Sequence, residues 1–159
     1  MATTRVQQRE ITVKAQPLTA EAFAPYGRVV GPEREPLEMK EGHFTARLMA
    51  VRRVPPTLER INRHLDHTQL FVPLAGARTV LVVAPPEVPA AGFDPTMIAA
   101  FITDGTQTVI FHTGTWHIEP RALDADECHV INVQTDVFRA HTELIHLEEE
   151  LGVVVRLEV

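Results

Sequence analysis

The chain has a single cysteine, a single tryptophan and a single tyrosine. Cys128 alone cannot form a disulfide within the chain, which excludes a small secreted scaffold held by cross-links. No apolar run approaches the length of a membrane-spanning helix, so no membrane partner is expected. The segment Met1 to Glu10 lacks the apolar core of a secretory signal, which makes the cytoplasm the expected location. Basic residues are also in short supply, with 15 Lys and Arg against 21 Asp and Glu and a net charge of -6. Such a surface offers no positive field to nucleic acid. What is present is a globular composition, 45% apolar over 159 residues. A chain of this size builds one core, so the expectation is a single domain over 1–159, with residues 1–10 polar and frayed.

The apolar pattern is mostly of period two and short. Ile11 to Ala15 alternates as an edge strand does, and Thr19 with Glu21 opens a short helix that Pro25-Tyr26-Gly27 stops. Beyond Gly27 come β-type runs separated by Gly, Pro and Asp: Arg28 to Val30, His43 to Val51, Gln69 to Leu74, Thr79 to Ala84, Ala99 to Thr103, Gln107 to His112, and His129 to Gln134. Cys128 lies beside the last of these and reads as a buried apolar thiol. Thr142 to Leu151 reads as the one longer helix, with Leu144, Leu147 and Leu151 on a stripe, ended by Gly152 before a final strand Val153 to Val159. Pro85 to Pro95 reads as a surface loop or lid, since proline cannot donate to a sheet ladder.

Chemistry concentrates in two segments. In Arg63-His64-Leu65-Asp66-His67-Thr68-Gln69 and onward to Gly76, four residues separate His64 from Gln69 and six separate Gln69 from Gly76. In the other, Gly105 leads to His112-x-Gly114-x-x-His117. These resemble the two cupin motifs, with Gln69 in place of the usual glutamate and His117 at the metal histidine. A longer resemblance is to the ureidoglycolate lyase family. It runs from Pro17-Leu18-Thr19-x-x-x-Phe23 and Tyr26-Gly27 through Arg63-His64, Gln69, Phe71-Val72-Pro73-Leu74, Gly76 and the Val80 to Val83 strand to Phe101-Ile102-Thr103-x-Gly105-x-Gln107, His112 and Trp116-His117.

That resemblance implies a mainly β fold, a cupin-type (RmlC-like) conical antiparallel β-barrel with a few short helices and a polar pocket at its open end, usually as a homodimer. It implies a lyase that cleaves (S)-ureidoglycolate to glyoxylate and urea in the breakdown of allantoin and purines. The reaction is the collapse of a hemiaminal, so it needs a carboxylate anchor, charge stabilisation at the hydroxyl oxygen and proton transfer. A divalent metal, such as nickel, manganese or zinc, held by His64, Gln69 and His117 would meet the first two needs. Asn62 stands where a cupin has its first histidine, and two imidazoles with two amides should bind metal less tightly than a carboxylate-containing centre. Without metal, Arg47 or Arg63 would clamp the carboxylate. His117 is the first candidate proton carrier and His112 the second; Trp116 would wall the pocket or fill the barrel mouth.

Other residues have plainer readings. His112 shares a strand face with Thr108 and Ile110 and also suits a structural role. His67 reads as a loop residue; His43, His129, His141 and His146 as surface or structural; Lys40 and Glu119 as solvated charges. The chain departs from the family pattern at Leu48-Met49-Ala50, where a histidine and an acid are expected, at Asn62, and between Arg53 and Thr57, where a stretch is missing. These departures leave room for two alternatives, an enzyme acting on another small α-hydroxy or α-keto acid and a non-catalytic cupin that binds a small carboxylate.

Overall fold

The computed structural model describes residues 8–159. Strands dominate, and in chain order they are β1 (Arg9–Pro17), β2 (Gly27–Val29), β3 (Phe44–Arg52), β4 (Thr57–Leu58), β5 (Arg60–His64), β6 (Gln69–Pro73) and β7 (Thr79–Ala84). They continue with β8 (Ala99–Ile102), β9 (Val109–Phe111), β10 (Trp116–His117), β11 (Arg121–Ala122), β12 (Glu127–Thr135), β13 (Thr142–His146) and β14 (Val153–Glu158). Two short helices, α1 (Ala20–Phe23) and α2 (Leu147–Leu151), and two 3-10 turns, Pro95–Met97 and Phe138–His141, complete the set. No helix among the described residues is long and apolar enough to cross a membrane.

The strands form two sheets that curl into a cupin-type β-barrel. One runs β13-β5-β10-β7-β8-β1-β14-β4, with β11 also on β7; the other runs β2-β9-β6-β12-β3. Pairing is antiparallel as expected except at β1, which lies parallel to both β8 and β14. β1 is also longer than the alternating run suggests. Arg9 and Glu10 pair with Val153 and Val154 rather than fraying, while residues 1–7 lie outside the described residues.

β7 shows how the layers are made. All six of its residues are buried, because each face packs on a different apolar cluster. Leu81 and Val83 point between the sheets, with Met49, Phe71, Phe101, Phe111 and Val130. Val80, Val82 and Ala84 point outward to Ile61, Val88, Phe93, Trp116, Ile145 and Leu147. Burying each such side chain is worth about 1.5–3 kcal/mol, so β7 is the anchor of both layers.

Two expectations are corrected here. Thr142 to His146 is not helical: it forms β13, paired with β5 over its whole length, and only Leu147–Leu151 turns into a helix. The pairing with β5 overrides the leucine spacing, burying Ile145 and Leu147 while Leu144 stays exposed. The proline-rich excursion is not a lid either. Pro85, Val88, Phe93 and Pro95 are buried, and Val88 and Phe93 cover the outer cluster, so the segment straps one face of the sheet. The motif glycines have a local cause. Gly105 has φ 88°, and a Cβ there would lie 2.2 Å from the Gly76 carbonyl oxygen, so the missing side chain of Gly105 lets the two turns touch, while Gly76 supplies a left-handed turn residue with φ 67°.

Candidate functional site

Strand alternation decides which motif residues meet. On β5, Ile61 and Arg63 face the outer layer, while Asn62 and His64 face a pocket between the sheets; on β10, Trp116 faces the outer layer and His117 the pocket. From the opposite sheet β6 contributes Gln69 and Phe71, β12 contributes Asn132 and Gln134, and β3 contributes Arg47 and Met49. Glu119, Phe138 and Arg139 complete a lining that encloses ≈ 210 Å³. That space suits a small molecule.

The two predicted histidines converge. The rings of His64 and His117 have centroids 5.2 Å apart, and His67 stacks on His64 at 5.0 Å. Their tautomers follow from their partners. Thr142 Oγ1 gives its one proton to the Phe138 carbonyl at 2.5 Å, so at 2.9 Å it accepts from His64 Nδ1–H. His117 Nδ1–H donates to the Thr115 carbonyl at 2.9 Å. Each ring therefore keeps a lone pair on Nε2. Burial pushes the His64 imidazole down to about 3, with the neighbouring His117 and His67 rings adding to the shift, and pushes His117 down to about 4. Both are neutral at ordinary pH.

Gln69 is held by its amide nitrogen, which donates to Asn132 Oδ1 at 3.0 Å and Gln134 Oε1 at 3.1 Å. Gln69 Oε1 and Asn62 Oδ1 are buried and have no hydrogen-bond partner among the described residues. Two imidazole lone pairs and two orphaned amide oxygens lining one pocket are a donor set that suits a divalent cation. A separate group, Glu41, Asp66 and His141, could also hold a metal ion, its three ligand atoms lying within 4.8 Å of one another.

Arg47 and Arg139 bring two positive charges to the lining against one from Glu119, and neither arginine is in an ion pair among the described residues. This excess suits a carboxylate. A neighbouring cavity of ≈ 260 Å³ shares Asn62 and Glu119 and adds Thr57, Arg60 and Arg121, but no imidazole reaches it. The imidazoles therefore belong to the smaller pocket.

Three candidates lie elsewhere. Arg63 is committed to Glu143 at 2.6 Å and to the carbonyls of Pro86 and Val88, with its guanidinium 4.4 Å over the Trp116 ring, so it cannot clamp a substrate. Trp116 is fully buried and donates Nε1–H to the Val88 carbonyl at 2.8 Å, which makes it a core residue and not a pocket wall. His112 donates Nε2–H to the Ala24 carbonyl at 2.9 Å and stays outside the pocket lining.

Conversely, the sequence reading passed over Asn132, Gln134, Phe138 and Arg139; Glu119 is the exposed charge expected but also lines the pocket, and His67 lies in the loop between β5 and β6 as expected, yet is buried. His67 is 3% exposed, and its Nδ1 meets Thr135 Oγ1 at 3.2 Å. Asn132 and Gln134 could have been found as the polar positions of an otherwise alternating strand; Arg139 carries no such signal. Of the departures, only Met49 and Asn62 reach the pocket, since Leu48 and Ala50 point outward and Pro55 and Thr57 line the neighbouring cavity.

Comparison with known proteins gives a consistent result. The family model described as ureidoglycolate lyase matches residues 40–153. A ureidoglycolate lyase of Azotobacter vinelandii is 33% identical over 140 residues, 74% of this chain and 82% of the relative. Those of Pseudomonas paraeruginosa and Pseudomonas fluorescens are 33% and 31% identical over 128 residues, 67% of this chain and 73% and 74% of the relatives.

Proposed function

The chain belongs to the ureidoglycolate lyase family, and we propose that its pocket cleaves (S)-ureidoglycolate to glyoxylate and urea, with His117 carrying the proton. The observation that carries this reading is the pair of neutral imidazoles with free Nε2 atoms beside two arginines that have no acidic partner among the described residues.

The lysis moves one proton from oxygen to nitrogen and breaks one C–N bond. His117 Nε2 takes the hydroxyl proton, the electron pair forms the aldehyde carbonyl, and the C–N pair leaves on nitrogen. The same imidazolium then protonates that nitrogen as urea departs. One group suffices because the reaction consumes no net proton. A ring held near 4 forms a strongly acidic imidazolium, which favours delivery to the nitrogen and costs rate in the first transfer. Arg47 and Arg139 anchor the carboxylate, replacing Arg63 in that role. Asn132 and Gln134 use their oxygens on Gln69, so their amide N–H groups remain for the ureido carbonyl.

Asn62, His64 and Gln69 would hold a divalent cation, and His117 would join them only in place of its proton-carrying role, because Nε2 has the one free lone pair of that ring. When bound, it would supply a Lewis acid that lowers the hydroxyl pKa and offsets charge on the substrate. Asn62 and Gln69 then act through their orphaned oxygens, and Thr142 and the Thr115 carbonyl keep both rings in the required tautomer. The protein works in the cytoplasm as a homodimer, a form supported by the prevalence of twofold oligomers and by the open edge of β3, where Leu48 is 59% exposed.

The test is a coupled assay for both products on purified protein, before and after chelation and metal replacement. Equal yields of glyoxylate and urea support the lyase reading, and loss with chelator restored by one metal supports the cation. Ammonia in place of urea, or turnover of a different small hydroxy acid alone, would replace it.

A further inference from the structure

The pocket wall formed by Phe138 and Arg139 belongs to no sheet. It lies on the 3-10 turn Phe138–His141, so something else must hold it in place. At one end, Thr142 Oγ1 binds the Phe138 carbonyl and accepts from His64, and the Phe138 ring stands edge-on to the His64 ring at 5.9 Å and 85°. At the other, the His141 carbonyl accepts from Leu65 N–H at 3.1 Å. The His141 side chain then reaches across to two more loops. Its Nε2–H lies 3.1 Å from Glu41 Oε1 and 3.0 Å from Asp66 Oδ2.

Those loops are already joined. Lys40 N–H donates to the Asp66 carbonyl at 2.9 Å, Thr68 N–H to the Glu38 carbonyl at 3.0 Å, and Met39 bridges to His67. Lys40 Nζ also sits 3.7 Å from Asp66 Oδ1. Lysine and histidine donors thus meet both carboxylates, and the group works as a clamp without an added cation.

We infer that His141 is a positioning residue for the lyase reaction: by tying the Phe138–His141 turn to Glu41 and Asp66 it holds Arg139 where the substrate carboxylate binds. The inference rests on the proposed role of Arg139 as carboxylate anchor. His141 and Glu41 are half exposed while Asp66 is only 15% exposed, so the clamp is of moderate strength and its loss should read as a shift in affinity and not as unfolding.

The test is a double-mutant cycle on the full chain, reading kcat and KM for ureidoglycolate. Arg139→Ala should raise KM about tenfold or more, as expected for a lost charged hydrogen bond. His141→Ala should raise KM about three- to tenfold with kcat within about twofold, and His141→Gln, which keeps an N–H donor, should restore most of it. In the Arg139→Ala background, His141→Ala should add nothing further. An unchanged KM in His141→Ala, a loss of kcat alone, or additive effects would each overturn the inference. If the wild type makes neither product, the lyase reading itself fails, and the positioning role is then decided on the same proteins by calorimetric titration of glyoxylate and deuterium exchange of residues 138–141. Unchanged glyoxylate affinity and exchange in His141→Ala would then overturn it.

Discussion

β5 and β10 each carry two polar or aromatic residues side by side, and each strand divides them between two regions of the molecule. Toward the outer layer, Arg63 and Trp116 spend their donors on the protein: Arg63 Nε on Glu143 and Nη1 on the Pro86 and Val88 carbonyls, the indole on Val88, and one over the other at 4.4 Å. Toward the pocket, His64 and His117 leave Nε2 free, and Asn62 and Gln69 leave buried oxygens without partners. A buried polar atom with no partner costs about 1–3 kcal/mol. The outer layer avoids that cost and the pocket accepts it, which is how a structural face and a chemical face differ when both are polar and buried.

The largest effect that would break this comparison is in turnover. His117→Ala should lower kcat by at least about a hundredfold while the protein stays folded, the scale of lost acid-base catalysis; steady-state assay with circular dichroism checks it. Next comes Arg63→Met, which strands Glu143 and two carbonyls. It should cost about 2–4 kcal/mol in urea denaturation and leave KM of the folded enzyme unchanged. Trp116→Phe removes one N–H and some volume, and should cost about 1–3 kcal/mol with activity retained.

A smaller effect separates the faces by pH. His64 and His117 titrate at about 3 and about 4 when folded and near 6.5 otherwise, so the unfolded chain binds more protons between those values. Stability should therefore fall as pH drops below about 6.5, by up to about 1.4 kcal/mol per pH unit for each histidine, and level off below their folded values. His64→Gln should remove one such contribution from the slope of stability against pH. A slope unchanged by that substitution would mean the His64 ring is not held neutral.

Much of this was legible in the sequence. β2, β3, β6, β7, β8, β9 and β12 follow from alternation and turn residues, while β4, β5, β10 and β11 were not read as strands; the convergence of His64 with His117 follows from the family pattern. The division of Arg63 from His64, and of Trp116 from His117, was also available, because side chains on a strand alternate. It was missed where motif residues were read as one group. β13 was not legible: Leu144, Leu147 and Leu151 fit a helical period, and only pairing with β5 decides otherwise. Arg139 and Glu41 reach their places through loops, for which local sequence carries no period to read.

The most direct test of the account is kcat per folded molecule for His117→Ala and Trp116→Phe, adjacent residues on one strand, measured in parallel by the release of glyoxylate and urea. The account predicts that His117→Ala loses at least about a hundredfold while Trp116→Phe keeps kcat within a few-fold. Equal losses in both, or retained turnover in folded His117→Ala, would contradict it.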